Sequence, residues 1–123
     1  MTTPLRVLIV DDEETLRTHL AAYLEDSDFD VTAVASGEAA LNALAEGTFD
    51  IGIIDIRLPD IDGNGLVLRC HEICPSMRFL VHTASASYKP PDALAACGVR
   101  QEHVMVKPIL DLDTLVQAIH RIA

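Results

Sequence analysis

The sequence has few aromatic residues, few basic residues and no long hydrophobic run. Aromatic side chains make up 4% of the chain and Trp is absent, which weighs against a flavin-binding module. Nine basic residues stand against 19 acidic ones, giving a net charge of −10. This charge disfavours direct binding to nucleic acid or an anionic membrane, and favours a cation or a basic partner. No apolar run approaches the roughly 18 residues that a membrane span requires, so no membrane partner is expected.

The chain also lacks a signal-peptide pattern at its start and a paired set of cysteines. Residues 1–7 contain no basic region followed by an apolar segment, so we expect a cytoplasmic protein. The three cysteines are odd in number and unlike a secreted disulfide framework. Cys70 and Cys74 lie one helical turn apart with His71 between them, a spacing that could hold a metal. No fourth ligand is evident, and we interpret these cysteines as small apolar residues on a helix.

Short apolar runs alternate regularly with segments of helical spacing along the chain. A length of 123 residues fits one domain, 1–123. The alternation predicts a parallel sheet covered on both faces, in the flavodoxin-like (βα)5 doubly wound order 2-1-3-4-5. The predicted strands are 5–10, 29–35, 51–56, 78–84 and 103–106. The predicted helices contain residues 16–24, 39–44, 66–73, 92–97 and 112–119.

Carboxylates follow two of these strands at the point where each strand ends. Asp11 and Asp12 come directly after the first strand, and Asp55 arrives while the apolar third strand is still continuing. Thr83 ends the fourth strand and Lys107 follows the fifth. In open α/β sheets the functional crevice lies beyond the carboxyl ends of the strands. We therefore expect three carboxylates, one hydroxyl and one ammonium at a single edge.

Such an acidic cluster requires a compensating positive charge. Two like charges about 4 Å apart repel by roughly 4 kcal/mol at an effective dielectric near 20, and Lys107 alone does not neutralise three carboxylates. Mg²⁺ does, because it binds one or two carboxylates and retains waters and room for phosphate oxygens. Phosphoryl transfer uses the same groups. Asp55 is the candidate nucleophile, and Asp11 and Asp12 are candidate metal ligands.

These residues resemble the receiver domain of bacterial two-component response regulators, over nearly the whole chain. The resemblance implies that Asp55 accepts a phosphoryl group from the phosphohistidine of a sensor histidine kinase or phosphotransfer protein. It also implies a signalling switch that catalyses only its own phosphorylation and dephosphorylation, not a metabolic enzyme. The family's anchors in this sequence are, in chain order, Asp11–Asp12, Asp55, Leu58–Pro59, Asp62–Gly63, Thr83–Ala84 and Lys107–Pro108.

The resemblance also implies a ligand set for Mg²⁺. Asp12 would bind the ion directly, Asp11 partly through water, and Asp55 and the backbone carbonyl of Arg57 would complete the site. The Arg57 side chain lies where family members tune how fast water removes the phosphate. Three interpretations stay open for it: a shield for the phosphoryl group, an ion pair with Asp60 or Glu13, or a solvent-facing loop residue.

Further family features concern the switch. Thr83 and Lys107 would contact the phosphoryl group, the Lys107–Pro108 bond would be cis, and Pro59 and Gly63 would shape the loop beside the site. Movement of Thr83 would remodel the face made by the fourth helix, the fifth strand and the fifth helix. That face would act on an unknown downstream protein or a covalently linked effector domain, and a second copy of the chain is a further candidate partner.

The sequence departs from the family pattern at Val104. The family usually places Tyr or Phe three residues before the lysine, so an aromatic rotamer change at this position cannot carry the signal here. Tyr88, in the loop after the fourth strand, is a conceivable substitute. Pro90 and Pro91 should delay the start of the fourth helix. A degenerate receiver that binds partners without phosphorylation is an alternative, although retention of the five expected residues favours phosphorylation.

Two other carboxylate patterns are weaker alternatives. Segment 60–65 matches the first half of an EF-hand calcium loop, but the twelfth position holds His71 instead of Glu. A strand, and not a helix, precedes it, so we interpret it as a polar turn that caps the third helix. A hydrolase of the haloacid-dehalogenase type requires Asp-x-Asp at the strand end, whereas Arg57 stands two residues after Asp55.

Overall fold

The computed structural model describes residues 3–123, so the first two positions of the predicted 1–123 domain lie outside the described residues. Five parallel strands form one sheet in the order β2-β1-β3-β4-β5, which confirms the predicted flavodoxin-like topology. Their registers place the carboxyl ends of β1, β3 and β4 at the same edge. The strands are β1 (Arg6–Val10), β2 (Asp30–Val34), β3 (Ile51–Asp55), β4 (Arg78–Thr83) and β5 (Val104–Val106).

Four α-helices cover the sheet, and side-chain caps start two of them where the sequence predicted. Ser36 Oγ accepts a hydrogen bond from the backbone N–H of Ala39 at the start of α2. Asp62 Oδ1 accepts one from the N–H of Asn64 at the start of α3. The helices are α1 (Glu14–Asp26), α2 (Gly37–Glu46), α3 (Gly63–Ile73) and α4 (Leu112–Ile122).

The short helix predicted over residues 92–97 is present, and the structure shows that Asp92–Cys97 is a 3₁₀ helix. Pro91 precedes the segment, and its carbonyl accepts a hydrogen bond from Leu94 N–H, an i to i+3 contact of 2.9 Å. Gly98 ends it in the left-handed conformation at φ 82°. Six residues between a proline and this glycine leave little room for i to i+4 bonding, and short 3₁₀ turns are common in such connectors. A second 3₁₀ helix, Gln101–His103, leads directly into β5.

The core lies on both faces of the sheet, and strand alternation assigns side chains to one face or the other. On one face Ile9, Ile53 and Leu80 pack with residues of α1 and α4. On the other, Ile54 and Val81 pack with residues of α2, α3 and the first 3₁₀ helix. All of β3 is buried, as its continuous apolar run predicted. Asp55 follows Ile53 at a spacing of two, so its side chain belongs to the α1/α4 face.

The cysteines confirm the packing interpretation. Cys70, Cys74 and Cys97 are buried free thiols, and burial raises the pKa of Cys70 to about 12. A thiol in such apolar surroundings is protonated near neutral pH and chemically inert. In the part of the chain that the structure describes, no helix is both long enough and apolar enough to span a membrane.

Candidate acidic site at the carboxyl edge of the sheet

The register of the two central strands brings the predicted carboxylates together. Val10 pairs with Ile54, so the residues that follow, Asp11 and Asp55, reach the edge side by side. They are 1% and 5% exposed, whereas Asp12 faces solvent. One carboxylate oxygen from each of the three lies within 4.8 Å of the others. The edge therefore gathers three hard oxygen donors, two of them buried.

Backbone contacts fix the orientation of the two buried carboxylates. Asp11 Oδ1 accepts a hydrogen bond of 2.9 Å from the N–H of Glu13, and the Asp11 carbonyl accepts one of 2.8 Å from Arg17 Nη1. Asp55 Oδ1 accepts a hydrogen bond of 3.2 Å from the N–H of Arg57. One oxygen of each carboxylate is thus occupied, and each Oδ2 is left to face the cluster.

Lys107 joins the two carboxylates. Its Nζ lies 3.1 Å from Asp11 Oδ2 and donates a hydrogen bond to Asp55 Oδ2 at 3.2 Å. Its backbone N–H donates to the carbonyl of Thr83 at 2.7 Å, which ties the end of β4 to the residue after β5. Burial alone would lower the pKa of Lys107, but the contacts with Asp11 and Asp55 outweigh burial and raise it. The Lys107–Pro108 bond is cis, as expected.

The site remains short of positive charge. Burial raises the pKa of Asp55, Lys107 opposes this rise, and the nearby charge of Asp11 adds to it. Within residues 3–123, Asp11 Oδ2 is a buried oxygen with no hydrogen bond of good geometry, so its contact with Lys107 is an ion pair only. A single ammonium serves three carboxylates. The donor set and the uncompensated charge fit a hard divalent cation.

Gly63 closes the loop that follows Asp55. Its N–H donates to the carbonyl of Ile56 at 2.9 Å, and Arg57 forms an antiparallel bridge with Asp62. A Cβ atom at Gly63 would press on the Asp55 carbonyl oxygen and lie 2.6 Å from Ile56 Cα. Only glycine permits this approach, so the predicted place of Gly63 beside the site has a steric reason.

The two aspartates of the calcium-loop pattern, Asp60 and Asp62, bind backbone N–H groups at the starts of helices. Asp60 accepts hydrogen bonds from the N–H groups of Gly37 and Glu38, at 3.0 and 2.8 Å. These bonds lower the pKa of Asp60 and tie the loop to the start of α2. Asp62 caps α3, as one interpretation of the sequence predicted. Both carboxylates therefore serve helix N-termini.

Two loop residues near Asp55 face solvent. The side chain of Arg57 is exposed, and among residues 3–123 it forms no ion pair with Asp60 or Glu13. The ion-pair interpretation is thus not supported in this structure, while the ligand role of its carbonyl stays a prediction. Pro59 is also exposed and continues the loop from Leu58.

The three residues considered for signal transmission lie at the end of β4, in β5 and in the loop after β4. Thr83 is 4% exposed, and its Oγ1 accepts a hydrogen bond of 3.1 Å from the N–H of Ser85. Val104 is half-buried against the core. The Tyr88 hydroxyl donates to Asn64 Oδ1, at the start of α3, so Tyr88 is not merely an exposed loop residue.

His82 is the site neighbour that sequence reasoning missed. The sequence pattern gives it only a place in the predicted strand 78–84, but its side chain is buried and Nδ1 lies 3.8 Å from Asp11 Oδ2. Burial and the charge of Lys107 lower its pKa to about 4, against the opposing effect of Asp11. The imidazole is therefore neutral near pH 7. The sequence does hold a signal for this position: His82 follows Leu80 at a spacing of two, which assigns both side chains to the α1/α4 face of the sheet.

Comparisons with known proteins agree with this fold. The family model described as "Response regulator receiver domain" matches residues 7–120. The transcriptional regulatory protein GlrR of Escherichia coli K12 is 33% identical over 116 residues, covering 94% of this chain and 26% of GlrR. The chain thus spans about a quarter of the length of this relative.

Solved structures share the whole architecture. The chemotaxis response regulator CheY4 of Vibrio cholerae is 27% identical, with a TM-score of 0.83 over 98% of this chain and 100% of CheY4. Response regulator TrrA of Thermotoga maritima, solved in complex with Mg²⁺-BeF, is 24% identical, with a TM-score of 0.82 over 97% of this chain and 99% of TrrA. The second likeness shows the fold alone.

Proposed function

The chain belongs to the response regulator receiver domain family, and we propose that it is a phosphorylation-dependent switch whose phosphoacceptor is Asp55. Receiver domains are parts of two-component response regulators. The observation that carries the proposal is the position of Asp55 at the end of the central strand, beside Asp11 and within hydrogen-bond distance of Lys107 Nζ. A nucleophile, a cation-binding carboxylate and a fixed positive charge are what phosphoryl transfer to a carboxylate needs.

Mg²⁺ is the cation that we propose for the acidic cluster. Its support is the set of three carboxylate oxygens within 4.8 Å of one another and the orphaned Oδ2 of Asp11. Asp12 would bind directly, Asp11 partly through water, and Asp55 and the Arg57 carbonyl would complete the site. When bound, the ion offsets repulsion between incoming phosphoryl oxygens and these carboxylates.

The proposed transfer places each of the chain's own groups in one role. A carboxylate oxygen of Asp55 attacks phosphorus, an O–P bond forms, and the P–N bond to the donor imidazole breaks. The electron pair returns to the imidazole nitrogen, which takes up a proton. Lys107 then pairs with a phosphoryl oxygen. Thr83 Oγ1 accepts from Ser85 N–H, which leaves the hydroxyl proton free to donate to another phosphoryl oxygen.

The partners follow from this chemistry. The phosphoryl donor would be a sensor histidine kinase or a phosphotransfer protein in the cytoplasm. We propose that residues 1–123 form one receiver domain whose output is a downstream protein, a covalently linked effector domain or a second copy of the chain. The relative GlrR is by name a transcriptional regulator, which makes an effector of that kind a candidate.

Intact-mass spectrometry tests the proposed function. The protein is incubated with a small acyl-phosphate donor, with and without Mg²⁺, beside the variants Asp55→Asn and Asp60→Asn. We expect one added phosphate in the wild type and in Asp60→Asn, whose carboxylate faces α2. We expect none in Asp55→Asn and none without Mg²⁺. Equal uptake by wild type and Asp55→Asn would contradict the assignment of the phosphoacceptor.

A further inference from the structure

His82 is a buried polar residue in β4, directly after the three apolar positions Phe79, Leu80 and Val81. The β3–β4 register pairs it with Asp55, and the β4–β5 register pairs it with Met105. It is 1% exposed. Among residues 3–123, neither ring nitrogen has a hydrogen-bond partner, and the nearest acidic oxygen, Asp11 Oδ2, has none either. His82 Nδ1, which has no partner, thus lies 3.8 Å from Asp11 Oδ2, whose contact is the ion pair with Lys107.

Packing alone does not explain a histidine here. The large majority of buried side-chain nitrogens and oxygens in proteins have hydrogen-bond partners, because leaving one unpaired costs stability. An aliphatic residue such as Leu80, two positions earlier, would fill the same layer without that cost. The exception calls for a role that the cation-free site does not use fully.

The contact between Asp11 Oδ2 and Lys107 would change in the proposed reaction. Glu13 N–H holds Oδ1, whereas Lys107 Nζ, 3.1 Å away, is the cationic contact of Oδ2. Lys107 also contacts Asp55, and in the proposed function it pairs with the phosphoryl group. When Lys107 turns toward that group, Asp11 Oδ2 loses its contact, and the imidazole N–H of His82 is the next donor.

We propose that His82 is a positioning residue for the cation site: once a cation occupies the site, its Nδ1–H closes the 3.8 Å gap to Asp11 Oδ2, donates to it and so keeps this carboxylate oriented toward the metal. This inference rests on the proposed function. Hydrogen bonds from outside the ligand set commonly fix metal-binding carboxylates in this way.

Two observations favour this role over direct ligation. The ligand atoms that gather within 4.8 Å of one another come from Asp11, Asp12 and Asp55, and His82 is not among them. The imidazole lies behind Asp11, away from solvent, since its side chain is 2% exposed.

Calorimetric titration with Mg²⁺ tests the inference on the intact chain. We expect Mg²⁺ to bind His82→Leu at least about 10-fold more weakly than the wild type, the lower end of the usual effect of losing such a contact. His82→Asn should retain most of the affinity, because its amide N–H takes a position similar to Nδ1–H. Met105→Leu, in the neighbouring strand of the same row, is the matched control and should bind as the wild type does.

Thermal unfolding without Mg²⁺ separates positioning from packing. His82→Leu should unfold at the same or a higher temperature than the wild type, because it removes an unpaired polar group from the interior. His82→Val serves the same purpose where the leucine variant does not fold. Wild-type affinity in the folded aliphatic variant would overturn the inference and leave the proposed function intact. A wild-type protein that binds no Mg²⁺ would overturn both.

Discussion

The carboxyl edge of the sheet and the segment between β4 and β5 are held together in different ways. At the edge, Lys107 links Asp11 and Asp55 directly, and each carboxylate is also fixed by a backbone N–H. The segment 84–103 contains two 3₁₀ helices and no α-helix. Its loop is held by side-chain contacts such as the one from Tyr88 to α3. The proposed chemistry thus lies at the ends of regular strands, whereas the segment after β4 is held by short turns and by packing of its first 3₁₀ helix against the core.

Lys107→Ala should weaken the edge most. Without its ammonium, Asp11 and Asp55 face each other unneutralised, so the free energy of unfolding should fall by about 3 kcal/mol in the absence of divalent cations. Mg²⁺ should recover most of this loss, because it binds the same oxygens. Urea unfolding with and without Mg²⁺ measures both effects. The control is Lys89→Ala, which removes an exposed lysine from the other region. Equal losses in the two variants would show that the edge has no special charge dependence.

Two glycines in the first turn of α3 provide a sharper test of the edge. Gly63→Ala would force a methyl group against the backbone of Asp55 and Ile56, so we expect a destabilisation of about 2 kcal/mol and slower phosphate uptake. Gly65→Ala is the matched control, since its Cβ would meet Ile61 at an ordinary 3.7 Å. It should stabilise the helix by about 0.5–1 kcal/mol.

Both variants are measured by chemical denaturation and by the rate of phosphate uptake. If Gly63→Ala matches Gly65→Ala in stability and in the rate of phosphate uptake, the loop after Asp55 accommodates the methyl group without cost. The account of a rigid edge would then be wrong.

Tyr88→Phe probes the other region and should have the smallest effect. Burial and the charge of Asp62 raise the pKa of Tyr88, so its hydroxyl is protonated and donates to Asn64. Loss of this bond should cost about 1 kcal/mol and leave phosphate uptake unchanged. In a double-mutant cycle, Asn64→Ala should add little to Tyr88→Phe. Additive losses would show that the two side chains act independently.

The edge could be predicted from sequence because parallel strands end together. The order 2-1-3-4-5 that the alternation predicts sets residues 11 and 55 side by side and places residue 107 at the same edge of the sheet. Residue chemistry then indicated a divalent cation. The roles of the individual site residues remain predictions that the experiments above test.

The remaining features depend on geometry that the sequence pattern does not specify. Whether Asp92–Cys97 forms an α-helix or a 3₁₀ helix depends on the turn that Pro91 and Gly98 impose at its ends. The contact of His82 with Asp11 depends on both strand register and side-chain direction. Local composition indicates neither, which explains why the histidine was interpreted as an ordinary strand residue.

The most direct measurement of the central claim is to locate the phosphate. The phosphorylated protein is reduced with borohydride, which converts an aspartyl phosphate to homoserine, and its peptides are then sequenced by mass spectrometry. We predict homoserine at position 55 and nowhere else, and only when Mg²⁺ was present during phosphorylation. Homoserine at position 11 or 12, or an unmodified Asp55 in phosphorylated protein, would contradict the account.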